Sequence, residues 1–357
     1  MNQQRLARVL RNMERDGLEQ IVVTSTASVY YLTGYWVEPM ERMLALYLRA
    51  DGTCTLFANT LFALEPQAGL ELALHQDSDE PTAALAAALR PGRLGVDKAW
   101  PSKFLIALLN ARPDVTPVLG SAPVDDARKY KDADEIAAMR HASRINDQVV
   151  EQVIAAVKEG AVESELAAYV ESLYRQHGAD RSSEGQLVCF GPNGADPHHG
   201  PNDTVLKDGD SVVLDIFIPI RRYWCDMTRT VFFRSVSDEG RRVYETVRAA
   251  NLAAEAMIRP GVPMKDIDRA ARKVIEDAGY GPCFTHRLGH GCGLDCHEPP
   301  DNSASSPAIA EPGMVFSVEP GIYLPGKLGV RIEDLVLVTE DGCEVLNHAS
   351  KELRVVE

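Results

Sequence analysis

Four carboxylates sit where an ordinary folded chain would not put them. Asp215 interrupts Ser211-Val-Val-Leu-Asp-Ile-Phe-Ile218, and Asp226 interrupts Tyr223-Trp-Cys-Asp-Met-Thr-Arg-Thr-Val-Phe-Phe233. Both runs are apolar and rich in β-branched and aromatic residues, so they read as strands. Pro219-Ile220-Arg221-Arg222 between them reads as a turn, and folding about its midpoint sets Asp215 opposite Asp226. Glu319 and Glu333 repeat the arrangement about Gly326 of Pro325-Gly326-Lys327. Like charges directly across a strand pair repel, and a desolvated carboxylate costs more still. Two such pairs in one chain call for a cation between them.

One imidazole completes the set. His290 lies in His286-Arg-Leu-Gly-His-Gly-Cys-Gly-Leu-Asp-Cys-His297-Glu298, with glycines on either side that allow close backbone approach. Hard oxygens plus one imidazole suit divalent manganese, cobalt, zinc or iron. Five ligands with four negative charges exceed what one ion takes up. They fit two ions about 3.5–4 Å apart, bridged by carboxylates and by a water or hydroxide. Cys292 and Cys296 in the same segment lack the second thiol pair a structural zinc site needs, and read as small buried residues beside it.

The rest of the chain supplies the frame. Its 357 residues are enough for two domains with proper cores. Residues 1 to 127 alternate helix and strand, which predicts a small α/β domain. An opening helix (Leu6, Val9, Leu10, Met13) precedes strands near 20–24, 43–49 and 53–58. A helix near 80–90, a strand at 93–96, a helix near 102–111 and a strand at 114–118 follow. Residues 128 to 357 form the second domain, beginning with a long amphipathic helix that Asp134 caps and Gly160 ends. Its pattern is two helices and a hairpin, then two helices and a hairpin. A formal charge of −15 argues against nucleic acid or an anionic membrane as partner. No run approaches the roughly 18 apolar residues of a membrane span, and the start lacks a signal peptide's apolar core. Seven cysteines without regular spacing point to a reducing cytoplasm rather than a disulfide framework.

The segments Leu214-Asp-Ile216, Cys225-Asp-Met-Thr-Arg-Thr230, His286 to Glu298, Val318-Glu-Pro-Gly-Ile-Tyr323 and Val330-Arg-Ile-Glu-Asp334 together resemble the pita-bread-fold metallopeptidases. Within them the chain is most similar to the Xaa-Pro group, prolidase and aminopeptidase P. The short gap between the two glutamates is prolidase-like, and the complete ligand set argues against a creatinase, which shares the fold without the metals. The resemblance implies an α/β N-terminal domain followed by an α+β pita-bread catalytic domain with a curved antiparallel sheet. It also implies two divalent ions per subunit, with manganese first and cobalt or zinc as alternatives. Asp215 would bind one ion, His290 and Glu319 the other, and Asp226 and Glu333 would bridge. Peptide hydrolysis by metal-bridged hydroxide follows, with Glu319 moving the proton to the leaving nitrogen.

Further residues join the site by position. His198 and His297 stand where the family has substrate-contacting imidazoles, and His297 would bind the carbonyl or developing oxyanion. Tyr323 and Arg331 flank the two glutamates. Arg331, two residues before Glu333 on the same strand face, is placed to orient that carboxylate. Tyr30-Tyr-Leu-Thr-Gly-Tyr-Trp36 resembles the family's N-terminal domain. The resemblance suggests a homodimer in which Trp36 of one subunit reaches toward the other's site. The preference for proline, whose amide lacks an N–H, comes from the resemblance alone. Prolidases resembling this chain carry an arginine four residues past the histidine of His-Glu, where it grips the dipeptide's carboxylate. Here that position is Asp301. A carboxylate there would repel a dipeptide's terminus, which favours an Xaa-Pro aminopeptidase acting on short peptides over an Xaa-Pro dipeptidase or a carboxypeptidase-like variant. If Asp301 faces solvent, Arg42 or Arg287 could grip instead. A creatinase-like amidinohydrolase or a non-catalytic binding module is the competing reading from another class.

Overall fold

Continuous apolar runs make the central strands of the first unit. The computed structural model describes residues 1–180 and 185–357, which divide into the units Met1–Arg128 and Lys129–Glu357. The first unit runs α1 (Gln3–Arg15), β1 (Gln20–Val23), α2 (Thr26–Thr33), β2 (Ala45–Arg49), β3 (Cys54–Asn59), β4 (Glu71–His75), α3 (Pro81–Ala88), β5 (Gly92–Val96), α4 (Ser102–Ala111), β6 (Val115–Leu119) and α5 (Ala122–Arg128). One six-stranded sheet forms in the order β4-β3-β2-β1-β5-β6. β1 and β3 are buried along their whole length, as strands covered on both faces must be. Helix α1 turns Leu6, Val9 and Met13 inward, and the Asn2 side chain accepts the first free N–H, that of Arg5. The sequence pattern misses α2, β4 and α5. Strand β4 is a partly exposed edge whose identity comes from pairing with β3. Helix α2 is rich in β-branched and aromatic residues and is held by burial rather than propensity.

The second unit repeats a plan. Helices α6 (Ala133–Ala156) and α7 (Glu163–Gln176) precede β7 (Leu187–Phe190), β8 (Ser211–Ile220) and β9 (Tyr223–Phe233). Helices α8 (Asp238–Met257) and α9 (Met264–Asp277) precede β10 (Gly289–Gly291), β11 (Glu298–Asn302), β12 (Val315–Val318), β13 (Gly321–Leu324), β14 (Leu328–Arg331), β15 (Asp334–Val338) and β16 (Cys343–Val345); β17 (Val355–Val356) ends the chain. Asp132, not Asp134, caps α6. Its carboxylate accepts from the N–H groups of Asp134 and Glu135, and Glu135 reaches back to the Asp132 N–H. Each half owns an apolar core. Val149, Val153, Val170 and Leu173 pack on the β7–β9 side, and Val243, Val247, Ile267 and Ala271 on the β12–β15 side.

Alternation along β8 and β9 separates core from chemistry. Val212, Leu214, Ile216 and Ile218 face the helices, with Cys225, Met227 and Val231 beside them. The opposite face therefore carries Asp215, Phe217, Asp226 and Thr228. The register is shifted by two from the expected one: Asp215 pairs with Thr228, and Asp226 with Phe217. Pro219 and Ile220 belong to the strand, and the turn is only Arg221-Arg222, with φ of 54° and 73°. A two-residue hairpin turn of type I′ demands positive φ at both positions. Because the side-chain period is two, a slip of two keeps both aspartates on one face, now diagonal instead of directly opposed. Left-handed backbone costs a non-glycine residue about 1–2 kcal/mol. Arg221→Gly is accordingly expected to raise the thermal midpoint, checked by calorimetry against wild type; a fall would mean that the arginine side chain holds the turn.

The second hairpin keeps the expected register. Gly321 pairs with Arg331 and Val318 with Asp334, both consistent with a turn centred on Gly326. Glu319 and Glu333 occupy the two breaks between those ladders. There each backbone N–H leaves its hairpin partner, Glu319 bonding Leu288 O and Glu333 bonding Thr228 O, both near 3 Å.

Candidate metal centre

The two breaks and the polar face of β8–β9 meet over one cavity of about 900 Å³. Asp215, Asp226, His290, Glu319 and Glu333 all line it. One atom from each of Asp226, His290 and Glu333 can be chosen so that all three lie within 4.8 Å of one another, the separation a shared ion requires. Glu319 Oε1 lies 3.4 Å from His290 Nε2, and Asp226 Oδ2 lies 3.8 Å from it. Asp215 stands on the same wall but turns one oxygen to Arg331 Nη2 at 2.6 Å.

His290 is presented as a neutral imidazole. Its Nδ1 donates to Gly291 O at 3.2 Å, leaving the Nε2 lone pair toward the carboxylates. Burial lowers its pKa to about 4. Gly289 and Gly291 are required on either side. A Cβ at Gly289 would stand 2.0 Å from Ser317 O, and one at Gly291 2.4 Å from Glu298 O. Ser317 completes this corner, accepting from His290 N at 2.9 Å and donating to Glu319 Oε1 at 2.9 Å.

The carboxylates are under strain of charge. Burial pushes Asp226 and Glu333 well above the ordinary carboxyl range, and repulsion from Asp215 and Glu319 adds to the rise. Glu319 is also raised by burial, with His286 and Arg331 opposing. Such a cluster is unfavourable as bare anions and favourable around a cation. Its oxygen-rich donor set with one imidazole fits hard or borderline divalent ions. Cys296 is not a fourth kind of ligand. Burial keeps its thiol protonated, and it donates to Asp226 Oδ2 at 3.3 Å. Cys292 is buried filler, its thiol toward Trp224 O at 3.7 Å.

Arg331 orients Asp215 rather than Glu333, because the strand breaks between residues 331 and 333 and turns them apart. Glu333 is held instead by Thr228, whose hydroxyl donates to it at 2.7 Å and accepts from Arg331 Nε at 3.0 Å. Thr228 thus links two of the carboxylates. Two-residue spacing from Asp226 already places it on that face, a signal the sequence reading passed over. Arg331 Nη1 also donates to Tyr323 Oη at 2.9 Å, and that hydroxyl pairs with His286 Nε2 at 2.8 Å. His286, four residues before His290, was missed as a site residue although it opens the same segment. Burial keeps it neutral, so Tyr323 is the donor.

His198 and His297 both line the cavity. The His297 ring lies 3.8 Å from the His290 ring, tilted by 45°, and desolvation together with the neighbouring His290 lowers its pKa to about 4. His199 points away, to Glu163. Asp301 does not line the cavity. It pairs with His290 across β10–β11, and its Oδ1 accepts from Arg287 Nη1 at 2.9 Å, while Arg287 does line the cavity. The charge expected to repel a substrate is therefore already matched. Trp36 packs edge-on against Tyr30 at 5.4 Å and donates to Glu38 Oε1 at 2.9 Å within its own unit. Arg42 is engaged by Asp77 and Glu41 there. All seven cysteines are free, and no helix among the described residues is long and apolar enough to cross a membrane.

Comparison with known proteins places these features. Residues 137–340 match the model for metallopeptidase family M24, and residues 5–130 the model for the creatinase/prolidase N-terminal domain. An uncharacterised peptidase of Staphylococcus aureus (strain USA300) is 35% identical over 97% of this chain and 99% of its own length. Among solved structures, a recombinant prolidase from Thermococcus sibiricus superposes with a TM-score of 0.93 at 33% identity, covering 100% of this chain and 99% of that one. Dipeptidase PepE from Mycobacterium ulcerans superposes at 0.91 with 36% identity, covering 99% and 97%.

Proposed function

The chain belongs to metallopeptidase family M24, and from that premise we propose that it hydrolyses the Xaa-Pro bond of short peptides with two divalent ions in the cavity. The observation that carries the reading is the convergence of four carboxylates on one neutral, aimed imidazole inside a single cavity. Asp226, His290 and Glu333, close enough to share an ion, would hold the ions together with Glu319 beside His290 and with Asp215 on the same cavity wall. When bound, such ions lower the pKa of water and polarise a carbonyl. The protein's own groups do the rest. Glu319, oriented by Ser317, takes a proton from the attacking water on a carboxylate oxygen and delivers it to the leaving nitrogen. His297, neutral and open to the cavity, donates to the scissile carbonyl. Tyr323 and Arg331 keep Asp215 in place against repulsion from the neighbouring carboxylates. The choice of proline is supported by the prolidase among the similar structures.

The test is a panel of Xaa-Pro, Xaa-Pro-Yaa and matched Xaa-Ala peptides with manganese-loaded protein, products read by mass, beside metal analysis of the same preparation. Cleavage confined to the bond before proline and two ions per chain are expected. Equal cleavage of the alanine series overturns the specificity, a single ion at saturation overturns the two-ion centre, and full activity after exhaustive chelation overturns both.

A further inference from the structure

We propose that Arg287, held in place by Asp301, receives the free carboxylate of the substrate and so makes the chain a dipeptidase; this rests on the Xaa-Pro reading of the same site. The cavity wall offers two permanent cations, Arg287 and Arg331. Arg331 is buried and spends its guanidinium on Asp215, Tyr323 and Thr228. Arg287 differs in every respect. Its side chain is 42% exposed, and one nitrogen, Nη1, is bonded to Asp301. Its Nε and Nη2 have no protein partner among the described residues, which leaves one edge of a rigid fork for a carboxylate.

The fork is fixed from behind. Asp301 takes Arg287 on Oδ1 and the Ser303 hydroxyl on Oδ2, so neither oxygen is free to swing. The Arg287 carbonyl accepts from His286 Nδ1 at 2.7 Å, which pins the backbone of the same residue. Arg287 lies three residues before His290 in the chain and lines the same cavity. In an Xaa-Pro dipeptide the terminal carboxylate is within one residue length, about 3.8 Å, of the scissile bond. A cation that serves it must therefore stand beside the metal-side imidazole, as Arg287 does. Leu187 and Phe217 supply apolar wall for a pyrrolidine ring. A dipeptide's carboxylate would then meet the Arg287 cation rather than the bare charge of Asp301. Asp301 is the anchor of the grip, holding Arg287 on one oxygen and Ser303 on the other.

The experiment compares kcat/KM for an Xaa-Pro dipeptide, its C-terminal amide and its tripeptide extension, using the metal-loaded full chain. In wild type the acid is expected to exceed the amide by at least about tenfold, the scale of one charge-assisted hydrogen bond. Arg287→Gln should lower the acid-to-amide ratio by roughly 10- to 100-fold, and Arg287→Lys should restore part of it. Asp301→Asn should lower the ratio by less. Because a ratio is read, a general loss of activity does not mimic the effect. As a measurement independent of any variant, free proline should inhibit wild type at least about tenfold better than prolinamide. A wild-type ratio near one, a ratio unmoved in Arg287→Gln, or equal inhibition by the two products overturns the assignment. If none of the Xaa-Pro substrates is cleaved in any form, the Xaa-Pro reading falls and this one with it. Cleavage of acid and amide alike leaves that reading standing and removes only the grip.

Discussion

Asp226→Asn is expected to abolish peptidase activity and, in metal-free protein, to raise the thermal midpoint. The loss should exceed the roughly 10–100-fold that follows removal of a ligand's outer partner, because Asp226 is itself among the three groups close enough to share an ion. The gain in stability has the opposite origin. Burial, with repulsion from Asp215 and Glu319, raises the Asp226 pKa well above its unfolded value. A carboxyl with a raised folded pKa favours the folded state while protonated. That contribution is lost as pH rises from the unfolded value, near 4, through the folded one. At pH 8 the bare cluster is therefore a burden on the fold, and a neutral amide lightens it. Calorimetry in chelator across pH 5 to 8 checks this: wild type should lose midpoint as pH rises, and the variant should lose less. A variant less stable than wild type at pH 8 would show that the carboxylates are held by hydrogen bonds well enough not to repel.

Arg229→Met is expected to destabilise the protein by about 3–5 kcal/mol, the cost of breaking a buried ion pair from one side. Arg229 is 1% exposed and bonds Asp334 Oδ1 at 2.6 Å, Glu333 O at 2.6 Å and Ala349 O at 2.8 Å. Removing it leaves Asp334 with Lys351 as its remaining cation and strips the carbonyl of Glu333 of its donor. Unfolding followed by circular dichroism gives the size. A loss under about 1 kcal/mol would mean that Lys351 and water replace the guanidinium. The variant should also bind metal more weakly, since the backbone that carries Glu333 is what Arg229 holds.

Much of this was legible in the sequence because charge inside apolar strands has few explanations. Period-two alternation put Asp215 and Asp226 on one face, and that inference survived a register error of two residues. The error came from the turn. Nothing in Pro219-Ile220-Arg221-Arg222 announces that two arginines take left-handed backbone, where asparagine and glycine are the usual occupants. Arg331 was assigned to the wrong carboxylate because the strand break between it and Glu333 is made by tertiary bonds to β9, which no local pattern encodes. Asp301 was read as a lone charge for the same reason: its partner is fourteen positions away, on the other side of a β-bulge. In the N-terminal unit, α2 and β4 escaped notice since burial and edge pairing, not propensity, define them. The metal-side residues spoke through chemistry, the supporting residues only through contact.

The division of the second unit into two halves, each with its own core, has a consequence in time. Asp215 and Asp226 come from the first half, and His290, Glu319 and Glu333 from the second. Either half can bury its apolar face without meeting the other's carboxylates. The repulsion arises only when the breaks at Glu319 and Glu333 close against β9. During synthesis the first aspartates wait more than a hundred residues for their last partner. The carboxylate cluster is thus assembled only when the two halves come together, so an ion bound there would act as a latch between them rather than as a template for either.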